Sequence, residues 1–206
     1  MVAEPFPILP PGVARGMPAY HSALHDGPDV AGFPLTPIRR THPALQTTKG
    51  PAPFVEAAAG AAAAAAAGDA AAAAEDAVDE ALRLFRPNVL FRNFELQGNG
   101  DRTLSYLMLA IQQALRRLEK KGAQQPRAEA QKELMALAQS APVIPGDAGW
   151  PLGAIVAAPR TPAEAEQLRL LLRQLREALV GRLLDRIYAV SPGARRRARP
   201  RRRDSC

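Results

Sequence analysis

The chain has 206 residues, with 27 Lys and Arg against 20 Asp and Glu, for a formal charge of +7. That charge is local: residues 191–206 hold seven Arg and one Asp, so the rest of the chain carries only +1. The single Cys, Cys206, stands at the end and excludes an intrachain disulfide framework and a Cys-rich zinc site.

Other classes fall away on similar grounds. The three His (His21, His25, His42) all lie in the Pro-rich first quarter, which leaves little for a His-based metal or catalytic cluster. The N-terminus lacks a positive start and a long apolar run, so no signal peptide is expected. No stretch of eighteen strongly apolar residues occurs, so no transmembrane helix is expected. A soluble, cytoplasmic protein is the expectation.

Residues 1–16 read as a disordered leader. Eleven of the twenty prolines fall between Pro5 and Pro53, so residues 17–56 read as extended and turn-rich rather than helical. A segment of this kind can wrap a partner or its own helical body. Residues 57–74 contain fifteen Ala, interrupted by Gly60 and Gly68, and read as a low-complexity insertion. Periodicity starts at Asp76, with Val78, Leu82 and Phe85 on one stripe and acids in the first turn. Pro87 removes a backbone donor and predicts a break or kink near Arg86. Val89 to Leu96 fits further helical turns, and Gln97 to Gly100 reads as a turn.

Asp101 is then the expected N-cap of a long helix. Leu104, Leu107, Met108, Ile111, Leu115 and Leu118 form its core face, and Gly122 stops it. A shorter helix is expected from about Pro126 to Gln139, with Leu134, Met135 and Leu137 apolar. Residues 141–162 read as a proline-punctuated crossover that carries Trp150. Thr161, Pro162 and Glu164 have the spacing of a capping box that starts the last helix. Leu168, Leu171, Leu172, Leu175, Leu179, Leu183 and Ile187 form its stripe, and Pro192 ends it. The expected fold is all-α: two long and two short helices, an extended Pro-rich N-terminal segment and disordered termini. The body spans residues 17–190, and residues 191–206 form a basic, disordered tail.

No catalytic motif stands out: there is no phosphate loop, no dinucleotide fingerprint, no zinc-protease motif and no nucleophile elbow. Gln97 to Gly100 lacks the Lys and the preceding strand that a phosphate loop needs. His21 and His25 are four residues apart but flanked by prolines, with no third ligand type nearby. Glu95 and Asp101 read as solvated acids apart from capping. The chain is expected to be non-enzymatic, without cofactor, catalytic or metal residues. The Arg-rich tail leaves a second reading open, a helical protein that binds nucleic acid through its C-terminus.

Eight strings occur in one order: MPAYHS (17–22), PLTPIR (34–39), KGPAP (49–53), VDEA (78–81), NVLFRNFE (88–95), DRTLSY (101–106), IPGDAGWPLGAI (144–155) and LRQLREALVGRLL (172–184). In this the chain resembles subunit 3, the 21-kDa subunit, of the actin-related protein 2/3 complex. The resemblance implies a helical, non-catalytic subunit of the assembly that nucleates branched actin filaments. It implies docking chiefly against the third actin-related subunit, contact with actin filaments through the complex, and a cytoplasmic, cytoskeletal location. The nucleotide sites it implies belong to the actin-related subunits. The chain departs from the family in its first sixteen residues, in the Ala-rich insertion, and in a tail that is basic without the family's aromatics. Tyr20 and Trp150 are the expected partner-facing residues, because large aromatics in Pro-rich segments outside the helices make good anchors.

Overall fold

The computed structural model describes residues 20–25, 27–56, 75–89, 96–122, 125–153 and 156–189. The leader, the Ala-rich insertion, Glu95 and the basic tail lie outside these residues.

Four helices form the body: α1 (Ala77–Asn88), α2 (Asn99–Lys121), α3 (Arg127–Gln139) and α4 (Pro162–Ala189). The extended segment that precedes them, here called the strap, carries four short strands, so the fold is not all-α. Strands β1 (Asp29–Val30) and β2 (Phe33–Pro34) pair antiparallel, with Val30 opposite Phe33. Their link, Ala31–Gly32, takes positive φ at both residues (52° and 78°), which suits the twist of a two-residue hairpin. Strands β3 (Ile38–Arg40) and β4 (Phe54–Glu56) pair in parallel, with Arg39 opposite Val55. The prolines that forbid helix here still permit these short pairings, which periodicity could not reveal over two or three residues.

Helix α1 starts at Asp76, whose carboxylate accepts from the backbone N–H groups of Val78 and Asp79. It passes through Pro87 and ends at Asn88, one residue beyond. Helix α2 begins earlier than expected. Its N-cap is Gly98, and Asn99 and Gly100 already belong to its first turn. Asp101 is therefore inside the helix, and it is fully buried rather than solvated. At α4 the Glu164 N–H donates to Thr161 Oγ1 at 3.1 Å. The Glu164 carboxylate does not close the capping box on Thr161; it accepts from Arg160 N at 2.6 Å and from Ala31 N in the strap at 3.0 Å.

The core is Leu-rich. Leu104, Leu107 and Ile111 of α2, Leu134 of α3 and Leu168, Leu171, Leu172, Leu175 and Leu184 of α4 are all essentially inaccessible. Helix α4 is the centre of the molecule: every residue from Glu177 to Leu184 is buried. It packs against α3, α2, α1 and the strap. Among the described residues no helix is long and apolar enough to cross a membrane.

Candidate interaction surface

The strap has few apolar residues in the core: Val30, Phe33, Ile38 and Ala52. Its irregular backbone also leaves N–H groups that no helix or long ladder satisfies. Burying them unpaired would cost about 1–3 kcal/mol each. The helices meet this demand with polar side chains pointing inward. Asn88 of α1 accepts from Tyr20 N at 2.9 Å and donates to Tyr20 O at 2.8 Å. Glu80 accepts from Ser22 Oγ at 2.6 Å and from Ala23 N at 2.8 Å. Asp101 accepts from Ser22 N at 2.8 Å and from Gln97 N at 2.8 Å, and it bonds His21 Nδ1 at 2.9 Å. Glu177 of α4 accepts from the N–H groups of Thr47 and Thr48, both at 2.9 Å, and from the Thr48 hydroxyl at 2.7 Å. Gln174 pairs with both backbone groups of Ala52.

One ionic cluster ties three elements together. Arg182 of α4 binds the Asp76 carboxylate through two nitrogens, approaches Asp79 at 3.2 Å and donates to Arg39 O at 2.7 Å. Arg39 N donates to Asp76 at 2.7 Å, and its guanidinium pairs with Asp79. Burial pushes the Asp76 pKa upward, but the bond and charge of Arg182, with backbone N–H bonds from Arg39 and Asp79, outweigh it and hold the carboxyl below its ordinary value. Burial likewise opposes ionisation of Asp101, and the Ser22 and Gln97 N–H groups with His21 overcome it, so this carboxyl is lowered too. For Arg182 burial works to lower the pKa, and the two carboxylates raise it instead.

The imidazoles expected to be poor ligands serve the same contact. His21 turns to Asp101, and His42 Nε2 meets Asp185 of α4 at 3.0 Å. The His25 and His42 rings lie so close to Gly98 and Gly181 that a Cβ at either glycine would stand 2.5 Å from an imidazole nitrogen. Among the described residues no group of three or more His, Cys, Asp or Glu is placed to hold a metal ion.

The two aromatics named from sequence have different surroundings. Tyr20 is the most exposed large hydrophobic described, at 56%, and Asn88 fixes its backbone. Val89, at 42% exposed, follows Asn88 directly, so an aromatic and an aliphatic side chain flank one buried amide at the end of α1. Trp150 is half-buried. Its ring stacks on Tyr106 of α2 (centroids 6.2 Å apart, planes at 14°) and meets Phe33 of the strap edge-on at 6.4 Å. Its Nε1 is buried without a hydrogen-bond partner. Burial raises the Tyr106 pKa, partly opposed by Arg176, so the phenol stays neutral. An open cleft of about 790 Å³ lies between the end of α2 and α3, but Glu133 already pairs with Lys121 at 2.9 Å and approaches Arg117 at 3.6 Å across it.

Sequence reading missed the inward acids. Glu80 and Glu177 stand on helices whose apolar stripes were read alone, and an acid beside a stripe looks like a solvated one. The available signal was a neighbouring segment rich in proline and poor in apolar residues, which needs acceptors from elsewhere.

This arrangement commits the acids named above to the strap or to basic side chains. It builds a strapped helical body that presents Tyr20 and Val89 at one edge. The family model described as the ARP2/3 complex ARPC3 (21 kDa) subunit, P21-Arc, matches residues 17–198. The chain belongs to that family. A relative from Dictyostelium discoideum named actin-related protein 2/3 complex subunit 3 is 42% identical over 179 residues, covering 84% of this chain and 87% of that protein. Proteins with the same name from Schizosaccharomyces pombe and Arabidopsis thaliana are 36% and 34% identical, covering 84% and 82% of this chain and 87% and 85% of theirs. The ARPC3 family match takes in the whole described strap and all four helices, so the carboxylate-to-strap network lies inside the family region.

Proposed function

We propose that the chain is a non-catalytic structural subunit of the actin-related protein 2/3 complex, docking against the third actin-related subunit and supporting nucleation of branched filaments in the cytoplasmic actin cytoskeleton. The observation that carries this reading is membership of the ARPC3 family over most of the chain, with relatives that bear the subunit's name. The geometry supports it. Buried acids such as Glu80, Asp101 and Glu177 are committed to holding the strap, which suits a rigid docking body.

Tyr20 is the proposed anchor, since its ring is exposed while its backbone is pinned. Trp150 has its ring against Tyr106 and Phe33, so it supports the partner-facing loop and contributes through its exposed rim.

The test is a pull-down of the full chain from cell extract, probed for the actin-related subunits. Near-stoichiometric recovery is expected, and Tyr20→Ala should lower it without changing the circular dichroism. No recovery of the actin-related subunits, together with salt-sensitive nucleic-acid binding that truncation at Val190 abolishes, would favour the tail-based alternative instead.

A further inference from the structure

We propose that Thr161 is a phosphorylation site for a proline-directed Ser/Thr kinase, and that its phosphate loosens the β1–β2 hairpin by displacing Glu164 from Ala31. The sequence holds two Pro-x-Thr-Pro strings, Pro34 to Pro37 and Pro159 to Pro162. As strings they are equivalent; the fold separates them. Around Thr36, Pro34 is buried in β2 and Ile38 is buried in β3. The flanking backbone is also held, with Leu35 N donating to Pro28 O at 2.7 Å and Ile38 N to Pro53 O at 2.9 Å. A kinase that binds its substrate as an extended segment cannot take Thr36 without unfolding the strap.

Around Thr161 the situation reverses. Arg160, Thr161, Pro162 and Ala163 are all exposed, and only Pro159 is half-buried. Pro162 has no N–H, so extending this segment breaks few bonds. They include the Ala165 N bond to Thr161 O (3.0 Å), the Glu164 N bond to Thr161 Oγ1 (3.1 Å), the Glu164 carboxylate bond to Arg160 N (2.6 Å) and the first intrahelical bonds of α4. In the reaction Thr161 Oγ bonds to the terminal phosphorus of a nucleoside triphosphate. The phosphorus bond to the bridging oxygen breaks, the nucleoside diphosphate leaves, and the hydroxyl proton passes to the kinase's base.

The consequence follows from what stands beside Thr161. Glu164 uses its carboxylate to hold two backbone groups, Arg160 N and Ala31 N. Ala31 is the one described non-glycine residue at positive φ, a conformation that costs energy and persists only while its surroundings impose it. A phosphate with a charge near −2 takes the N–H groups of the first turn of α4 and repels the carboxylate one turn away. Ala31 then loses its acceptor. The hairpin keeps Arg102 Nη1 on Gly32 O at 3.1 Å, so it loosens rather than unfolds. Phe33, which contacts Trp150, carries the change toward the Trp150 loop.

The test is phosphorylation of the folded full chain by a proline-directed kinase, with the site assigned by fragment mass spectrometry and amide exchange followed at Ala31. The expected result is phosphate on Thr161 and not on Thr36, with Ala31 exchange about fivefold faster. Thr161→Ala should abolish the effect. Glu164→Gln keeps an acceptor for Ala31 without the charge, so phosphorylation should then change its exchange less than about twofold. Phosphate confined to Thr36 or to Ser191 overturns the site. Modified Thr161 with unchanged Ala31 exchange overturns the coupling.

Discussion

The strap and the helical bundle keep their shapes by opposite means. Each helix closes its own backbone hydrogen bonds and needs only an apolar face to find its place, which Leu104, Leu107, Leu134, Leu172 and Leu175 provide. The strap closes only part of its own, in its two short strand pairs and a few turns. It contributes four buried apolar residues and borrows acceptors from Glu80, Asn88, Asp101, Glu164, Gln174 and Glu177. The lesson is that a proline-rich segment becomes part of a fold when the helices beneath it carry acids on their inner faces.

Removing the ionic knot where the two regions meet should have the largest effect. Arg182→Met leaves Asp76 buried without its cation, and loss of about 3–5 kcal/mol is expected in denaturant unfolding. Strap and helices should then lose stability together. Leu172→Ala tests the bundle alone. A cost of about 2–5 kcal/mol is expected, with amide exchange rising throughout the helices. Glu177→Ala tests the strap alone. It strips acceptors from Thr47 N, Thr48 N and the Thr48 hydroxyl, so about 1–3 kcal/mol is expected. Its exchange signature should be confined to residues around Thr47; equal acceleration in α3 would remove the distinction between the regions.

Acid should also act at the strap first. The Asp76 and Asp101 carboxyls lie below their ordinary value of 3.8 in the folded protein. Their contribution is therefore present above that value and is lost as pH falls through the lowered folded values. The melting temperature should be level between about pH 7 and 5 and fall below about pH 4, with a shallower fall in Asp101→Asn. The smallest effect is expected from deleting residues 58–73. Strand β4 lies in register with β3, and Arg39 of β3 donates to Asp76 at 2.7 Å, so the insertion leaves and re-enters the body at one place. A change under about 1 kcal/mol is expected.

Much of the helical framework was legible because its signals are local or periodic. The periodicity of α1 begins at Asp76, Gly122 follows the last residue of α2, Thr161 caps α4, and the Leu stripes point to the core. These follow from spacing along one element, and the eight ordered strings carried the family. Elements whose partners are distant in sequence were not legible. Asp101 looked like a cap because its partners, Ser22 and His21, lie about eighty residues away. The four short strands are too brief to show a period, and the full burial of α4 from Glu177 to Leu184 depends on a strap that no helical stripe announces. The sequence alone determined roughly where the four helices lie and how their Leu faces turn, because those depend on near neighbours; the start of α2 at Asn99 was not among them. Only the tertiary structure decided which acids are buried, which threonine is open and which aromatic is exposed, because burial is set by whatever packs against a residue from far along the chain.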